Sequence, residues 1–93
     1  MAIKSMTFRK DPDSNLDYGF DWSDWLETGE TISASVWTVQ AGITEGNKEM
    51  GSTSTKIWLS GGTAGESYVI ANKITTSEGR IVERSFDIIV ENR

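Results

Sequence analysis

The chain has 93 residues, of which 37% are hydrophobic and 25% charged, and its formal net charge is −5. A chain of this length is expected to form one domain over residues 1–93, burying about 60–65% of its unfolded surface around a single core, with no deep cleft between domains. Cysteine and histidine are both absent, which excludes disulfides, thiolate nucleophiles and sulfur-ligated zinc, and removes the side chain that titrates unaided near neutrality.

Ile3 to Arg9 reads as a modest first strand. The turn Lys10-Asp11-Pro12-Asp13-Ser14-Asn15 follows, because proline presets φ and the short polar side chains bond their own backbone. Leu16, Tyr18, Phe20 and Trp22 then alternate with Asp17, Gly19 and Asp21, the period of two of a half-buried strand. The alternation breaks at Asp21-Trp22-Ser23-Asp24-Trp25-Leu26, where Asp and Ser predict a short helical turn or tight corner that Gly29 ends. Thr31 to Val39 is rich in β-branched residues and reads as strand. Its facing is ambiguous because Val36 and Trp37 are adjacent, and a bulge would resolve it.

Ala41 to Gly51 reads as loop, with Ile43 an isolated core contact. Ser52 to Leu59 alternates again, with Ile57 and Leu59 on one face and Lys56 and Trp58 on the other. Gly61 to Gly65 is a turn, and Glu66 to Thr76 points Tyr68, Ile70 and Ile74 one way. Ser77-Glu78-Gly79 closes a hairpin. The last strand, Ile81 to Glu91, points Val82, Phe86, Ile88 and Val90 inward and is expected to leave no tail or anchor beyond it. About seven short antiparallel strands with turns every 8–12 residues predict an all-β, two-sheet sandwich. Leu59, a glycine turn and then Tyr68 at the start of a strand is the pattern of a tyrosine corner, so the expected fold is an Ig-like β-sandwich.

Charge is unevenly placed. Eight acidic residues and no Lys or Arg lie between Asp11 and Asn47. Binding to a nucleic-acid backbone depends on cations replacing counterions, so DNA or RNA is not an expected partner. The acidic half keeps the chain soluble or faces a basic patch on a partner protein. No apolar run exceeds four residues, so neither a membrane span nor a signal peptide is predicted.

Three patterns could carry chemistry, and each reads better as structure. Asp11-x-Asp13-x-Asn15-x-Asp17 opens like a calcium loop, but Leu16 stands where that loop needs glycine and Trp22 where it needs glutamate. The glycines at 61–65 lack the Lys-Ser/Thr and the helix of a phosphate cradle. Asp21 and Asp24 beside two tryptophans suggest a carboxylate pair for glycoside hydrolysis, yet no cleft is expected around them. No catalytic residue, metal or cofactor is predicted.

Four tryptophans are many for this length. Trp37 or its neighbour is expected in the core, and Trp22 and Trp25 at the corner. Trp58 faces away from Ile57 and Leu59, and Ile81 and Ile89 fall on the outer face of the last strand. These three are the candidate partner contacts, since an outward Trp offers a large rigid area at low entropic cost. An alternative use of outward tryptophans is stacking on sugars, as in a carbohydrate-binding β-sandwich.

The stretch Lys10 to Trp22, with Trp25-Leu26, Gly29-Glu30-Thr31-Ile32 and Trp37-Thr38-Val39, resembles small virion proteins of tailed phages and prophages. So does Trp58-Leu59-Ser60-Gly61-Gly62-Thr63-Ala64-Gly65-Glu66 with Thr75 to Arg80. The pattern resembles the phage fibre-tail adaptor family, whose members are Ig-like modules linking tail fibres to the tail or neck. Small Ig-like virion proteins also decorate capsids and complete tails. The resemblance implies a non-enzymatic structural protein of the virion, held in the host cytoplasm before assembly. Its partners would be tail, neck or fibre proteins, and it would be present in several copies around a symmetric assembly.

Overall fold

The computed structural model describes residues 6–92. Residues 3–5 of the expected first strand lie outside that range. The described residues form seven strands: β1 (Met6–Lys10), β2 (Asn15–Asp21), β3 (Ile32–Val39), β4 (Ile43–Met50), β5 (Ser54–Gly61), β6 (Ser67–Thr76) and β7 (Ile81–Val90). They form a four-stranded sheet, β1-β7-β6-β3, and a three-stranded sheet, β2-β5-β4. The two make an Ig-like β-sandwich.

Two expectations need correction. Ala41 to Gly51 is not loop: Ile43–Met50 is β4, paired antiparallel with β5. Of its side chains only Ile43 is buried, so pairing of main chain, not an apolar face, holds the strand, and no period of two betrays it. The pairings are also not all antiparallel, because β1 runs parallel to β7 from Met6↔Phe86 to Lys10↔Val90. The Asp11–Ser14 turn does not fold β1 back onto β2. It carries the chain across to the other sheet and leaves β1 to cover the edge of β7. Lys10 fastens this crossing: it is 1% exposed, and its Nζ donates to the carbonyls of Asp11 at 2.9 Å and Gly61 at 2.8 Å. Burial away from water pushes its pKa down.

The predicted bulge in β3 exists, but between Ile32 and Ala34. It sets Trp37 inward, 9% exposed, and Val36 outward, 60% exposed. The core is aromatic at its centre. Phe86 on β7 meets the rings of Phe8 at 5.3 Å, Phe20 at 5.6 Å, Tyr18 at 5.8 Å and Trp37 at 6.4 Å between centroids. Ile57, Leu59, Ile70, Ile74 and Ile88 close around it with no exposed surface. Each such burial contributes about 1.5–3 kcal/mol, against about 0.2–1 kcal/mol for an exposed ion pair such as Arg9–Glu91 at 3.1 Å. The core therefore decides stability.

The tyrosine corner is present. Tyr68 begins β6 buried, and its Oη accepts the Thr63 N–H at 2.9 Å. Gly62 makes the turn possible. Its φ is +95°, and a Cβ there would lie 2.7 Å from Cγ2 of Val90.

Candidate partner-binding faces

The two outer faces of the sandwich carry the candidate contacts, and strand parity decides which side chains reach them. On β5, Thr55, Ile57 and Leu59 point into the core, so Lys56 and Trp58 point out. Trp58 stands opposite Asp17 of β2, and Lys56 opposite Gly19. The Lys56 Nζ lies 3.5 Å from Oδ2 of Asp17, both side chains 45% exposed. On the other flank the irregularity in β4 between Glu45 and Lys48 brings Gly46 beside the tryptophan, where a Cβ would lie 3.3 Å from that of Trp58. Trp58 is thus a half-buried ring at the middle of the three-stranded face, with Asp17 of β2 opposite it and the outward pair Lys56 and Glu49 two positions along.

Ile81 and Ile89 lie on the opposite side of the molecule. Both are on β7, outward on the four-stranded face, where Ile81 stands opposite Thr75 and Ile89 opposite Ser67 and Arg9. Ile81 is 62% exposed and Ile89 half-buried. Eight residues of strand separate them by about 26 Å. The structure therefore does not bring the three candidates into one patch: Trp58 is on one face and the two isoleucines at the two ends of the other. Val69 and Val36, 48% and 60% exposed, add to that second face. Val69 was readable from its place between inward Tyr68 and Ile70, whereas Val36 waited on the position of the bulge.

The remaining tryptophans are structural. Trp22 has no exposed surface and donates from Nε1 to Oγ1 of Thr55 at 3.0 Å. Trp25 follows one helical turn later, its N–H on the Trp22 carbonyl at 2.9 Å. The Arg80 guanidinium lies 4.0 Å from the centroid of its ring. A sugar could not stack on either buried ring, and the Trp25 face is already occupied.

The other patterns fold onto themselves. Oδ1 of Asp11 accepts the Asp13 N–H at 2.8 Å, which makes the acidic stretch an Asx turn. Among the described residues no group of three or more acidic side chains is placed to hold a metal ion. Oδ1 of Asp21 accepts the Ser23 N–H at 3.0 Å, and hydrogen bonds from Ser23 hold its carboxyl below the usual range. Through these bonds Asp21 caps the corner.

A family model described as podophage GP4 fiber-tail adaptor protein gp77 matches residues 10–89. The match takes in β2 to β6 whole and β7 up to Ile89. No curated protein matches the chain.

Proposed function

We propose that this chain, which belongs to the podophage GP4 fiber-tail adaptor family across residues 10–89, is a non-enzymatic virion component joining tail fibre to tail or neck through protein contacts on its two outer faces. The observation that carries this reading is the placement of outward apolar side chains on both sides of one thin sandwich. Trp58 is on the three-stranded face, and Ile81 and Ile89 are on the four-stranded face. An adaptor needs two docking surfaces, and a single β-sandwich offers two broad ones back to back.

The faces differ in chemistry. Around Trp58, Asp17 and Glu49 outnumber Lys56, which favours a partner surface carrying Arg or Lys, with the ring as a rigid anchor and a cation–π partner. The β7 face is nearly neutral and rich in Ile and Val, which suits an apolar surface. The whole of residues 1–93 acts as one Ig-like module, uses no cofactor, contacts neither nucleic acid nor membrane, and waits in the host cytoplasm until assembly.

Mass spectrometry of purified particles tests this reading. The chain is expected in several copies per particle. Its absence from intact virions in which the other tail proteins are all detected would overturn the adaptor role.

A further inference from the structure

Of the four sheet edges, β3 alone is undefended. β1 is only five residues long and carries Arg9; β2 carries Asp17, Asp21 and Gly19; β4 carries Glu45, Lys48 and Glu49 and is broken between Glu45 and Lys48. Charges, glycines and bulges are how edge strands avoid pairing with other chains. β3, Ile-Ser-Ala-Ser-Val-Trp-Thr-Val, has no charge, glycine or proline. Its irregularity is confined to the Ile32 end, where the Ser52 carbonyl accepts the Ile32 N–H at 2.9 Å. From Ala34 to Val39 the strand has β6 on one side and, among the described residues, no strand on the other. A cleft of about 530 Å³ runs along this free edge, lined by Ala34 to Trp37 of β3 and Lys48 to Met50 of β4. At its wall Trp37, 9% exposed, carries an indole N–H without an acceptor.

We propose that this edge pairs with the same edge of a second copy of the chain, antiparallel about a twofold axis, with Val36 opposite Val36. The unpaired main-chain donors and acceptors call for another extended strand, and charge selects which one. Each copy carries −5, and eight of its fourteen acidic residues lie between Asp11 and Glu45. The stretch Thr31 to Thr44 is free of charge, so two copies can meet at β3 without setting like charges against each other. The nearest charged side chains on β4 are Lys48 and Glu49, one of each sign. In this register Trp37 faces Ser35 of the second copy, large against small, and Ala34 faces Thr38. The hydroxyl of that Ser35 is then the side-chain acceptor closest in sequence register to the unpaired indole. The two four-stranded sheets become one continuous sheet of eight.

This pairing names the edge that would join copies of the adaptor. It is tested on purified protein alone, so its failure and the failure of the adaptor reading are separable. Sedimentation from about 1 µM to about 300 µM is expected to show a shift from monomer to dimer, with the β3 amides gaining protection from hydrogen exchange in the dimer. Val36→Lys and Val36→Glu are each expected to weaken dimerisation about tenfold or more, because like charges stand directly opposite. Both should keep the wild-type melting temperature, since Val36 is 60% exposed. An equimolar mixture of the two should associate more tightly than either alone. The proposal is overturned by a protein that stays monomeric throughout, by a dimer indifferent to Val36→Lys, or by a mixture no tighter than its components. It is equally overturned if the β3 amides become protected only when another particle protein is added, which would assign the edge to that protein.

Discussion

Glu30 and Arg80, fifty positions apart, meet as a two-pronged pair: the Arg80 Nε donates to Oε2 of Glu30 at 2.9 Å, and Nη2 donates to Oε1. The Glu30 side chain has no exposed surface, and its carboxylate also accepts the Thr76 hydroxyl and the Glu27 N–H, the latter at 2.9 Å. The pair ties the corner after β2 to the hairpin between β6 and β7, and the Trp25 ring covers it.

Acid should weaken the fold through this pair. The Arg80 hydrogen bonds lower the Glu30 pKa from 4.5 to about 2. A carboxyl depressed on folding stabilises the native state above its unfolded pKa, and that stabilisation drains away as pH falls from 4.5 towards about 2. Urea midpoints measured across this range should fall steeply for the wild type. Glu30→Gln should start lower at neutral pH and show a flatter acid limb. Arg80→Lys should recover only part of the loss, because an ammonium cannot make the two parallel bonds of a guanidinium.

The centre of the sandwich holds a chain of polar groups whose members should be coupled. Trp22 donates to Thr55, Thr55 donates to Oδ1 of Asn72 at 2.6 Å, and Nδ2 of Asn72 donates to Oγ of Ser35 at 2.9 Å and to the Val36 carbonyl at 3.2 Å. Asn72→Ala removes the hub and leaves a cavity, with an expected cost of about 2–4 kcal/mol. Thr55→Val should cost about 1–3 kcal/mol by stranding the indole N–H and the amide oxygen. Chemical denaturation of the double variant should show less than the sum, because both changes break one network.

At the tyrosine corner, backbone geometry should outweigh the hydrogen bond. Tyr68→Phe strands the Thr63 N–H, an expected loss of about 0.5–1.5 kcal/mol. Gly62→Ala forces a side chain into φ +95° and against Val90, where the backbone strain alone costs about 1–3 kcal/mol. Thermal unfolding should therefore rank Gly62→Ala below Tyr68→Phe.

Tyr68, Ile57, Leu59 and Phe86 show why most of the fold can be read from the chain: each takes an inward position in a period of two along its strand, and that period reports their burial directly. What spacing does not show has no such local signal. β4 owes its place to main-chain pairing with β5, which side-chain periodicity does not record. Asn72 is polar within an apolar alternation, yet it turns inward because Thr55, Ser35 and the Val36 carbonyl wait there from other strands. Glu30 looks like the end of a turn until Arg80 arrives from the far hairpin. The outward sense of Trp58, Ile81 and Ile89 followed from alternation alone. Their division between opposite faces did not, because sheet order is set by how strands cross over and leaves no mark on spacing.

That division predicts two separable losses. If each face serves a different neighbour, Trp58→Ala should remove cross-links between this chain and one particle protein while sparing those to another. The pair Ile81→Ser with Ile89→Ser should do the reverse. Neither change should cost more than about 1 kcal/mol in folding, since all three side chains keep exposed surface and touch no buried polar group. Cross-linking mass spectrometry on particles assembled with each variant reads both losses at once. Adding salt distinguishes the faces further. Contacts around Trp58 lean on Asp17 and Glu49 and should weaken as ionic strength rises, whereas those of the isoleucine face should hold. Loss of the same cross-links in both variants would mean that one partner spans the two faces, and the molecule would then be a clasp around a single protein and not a bridge between two.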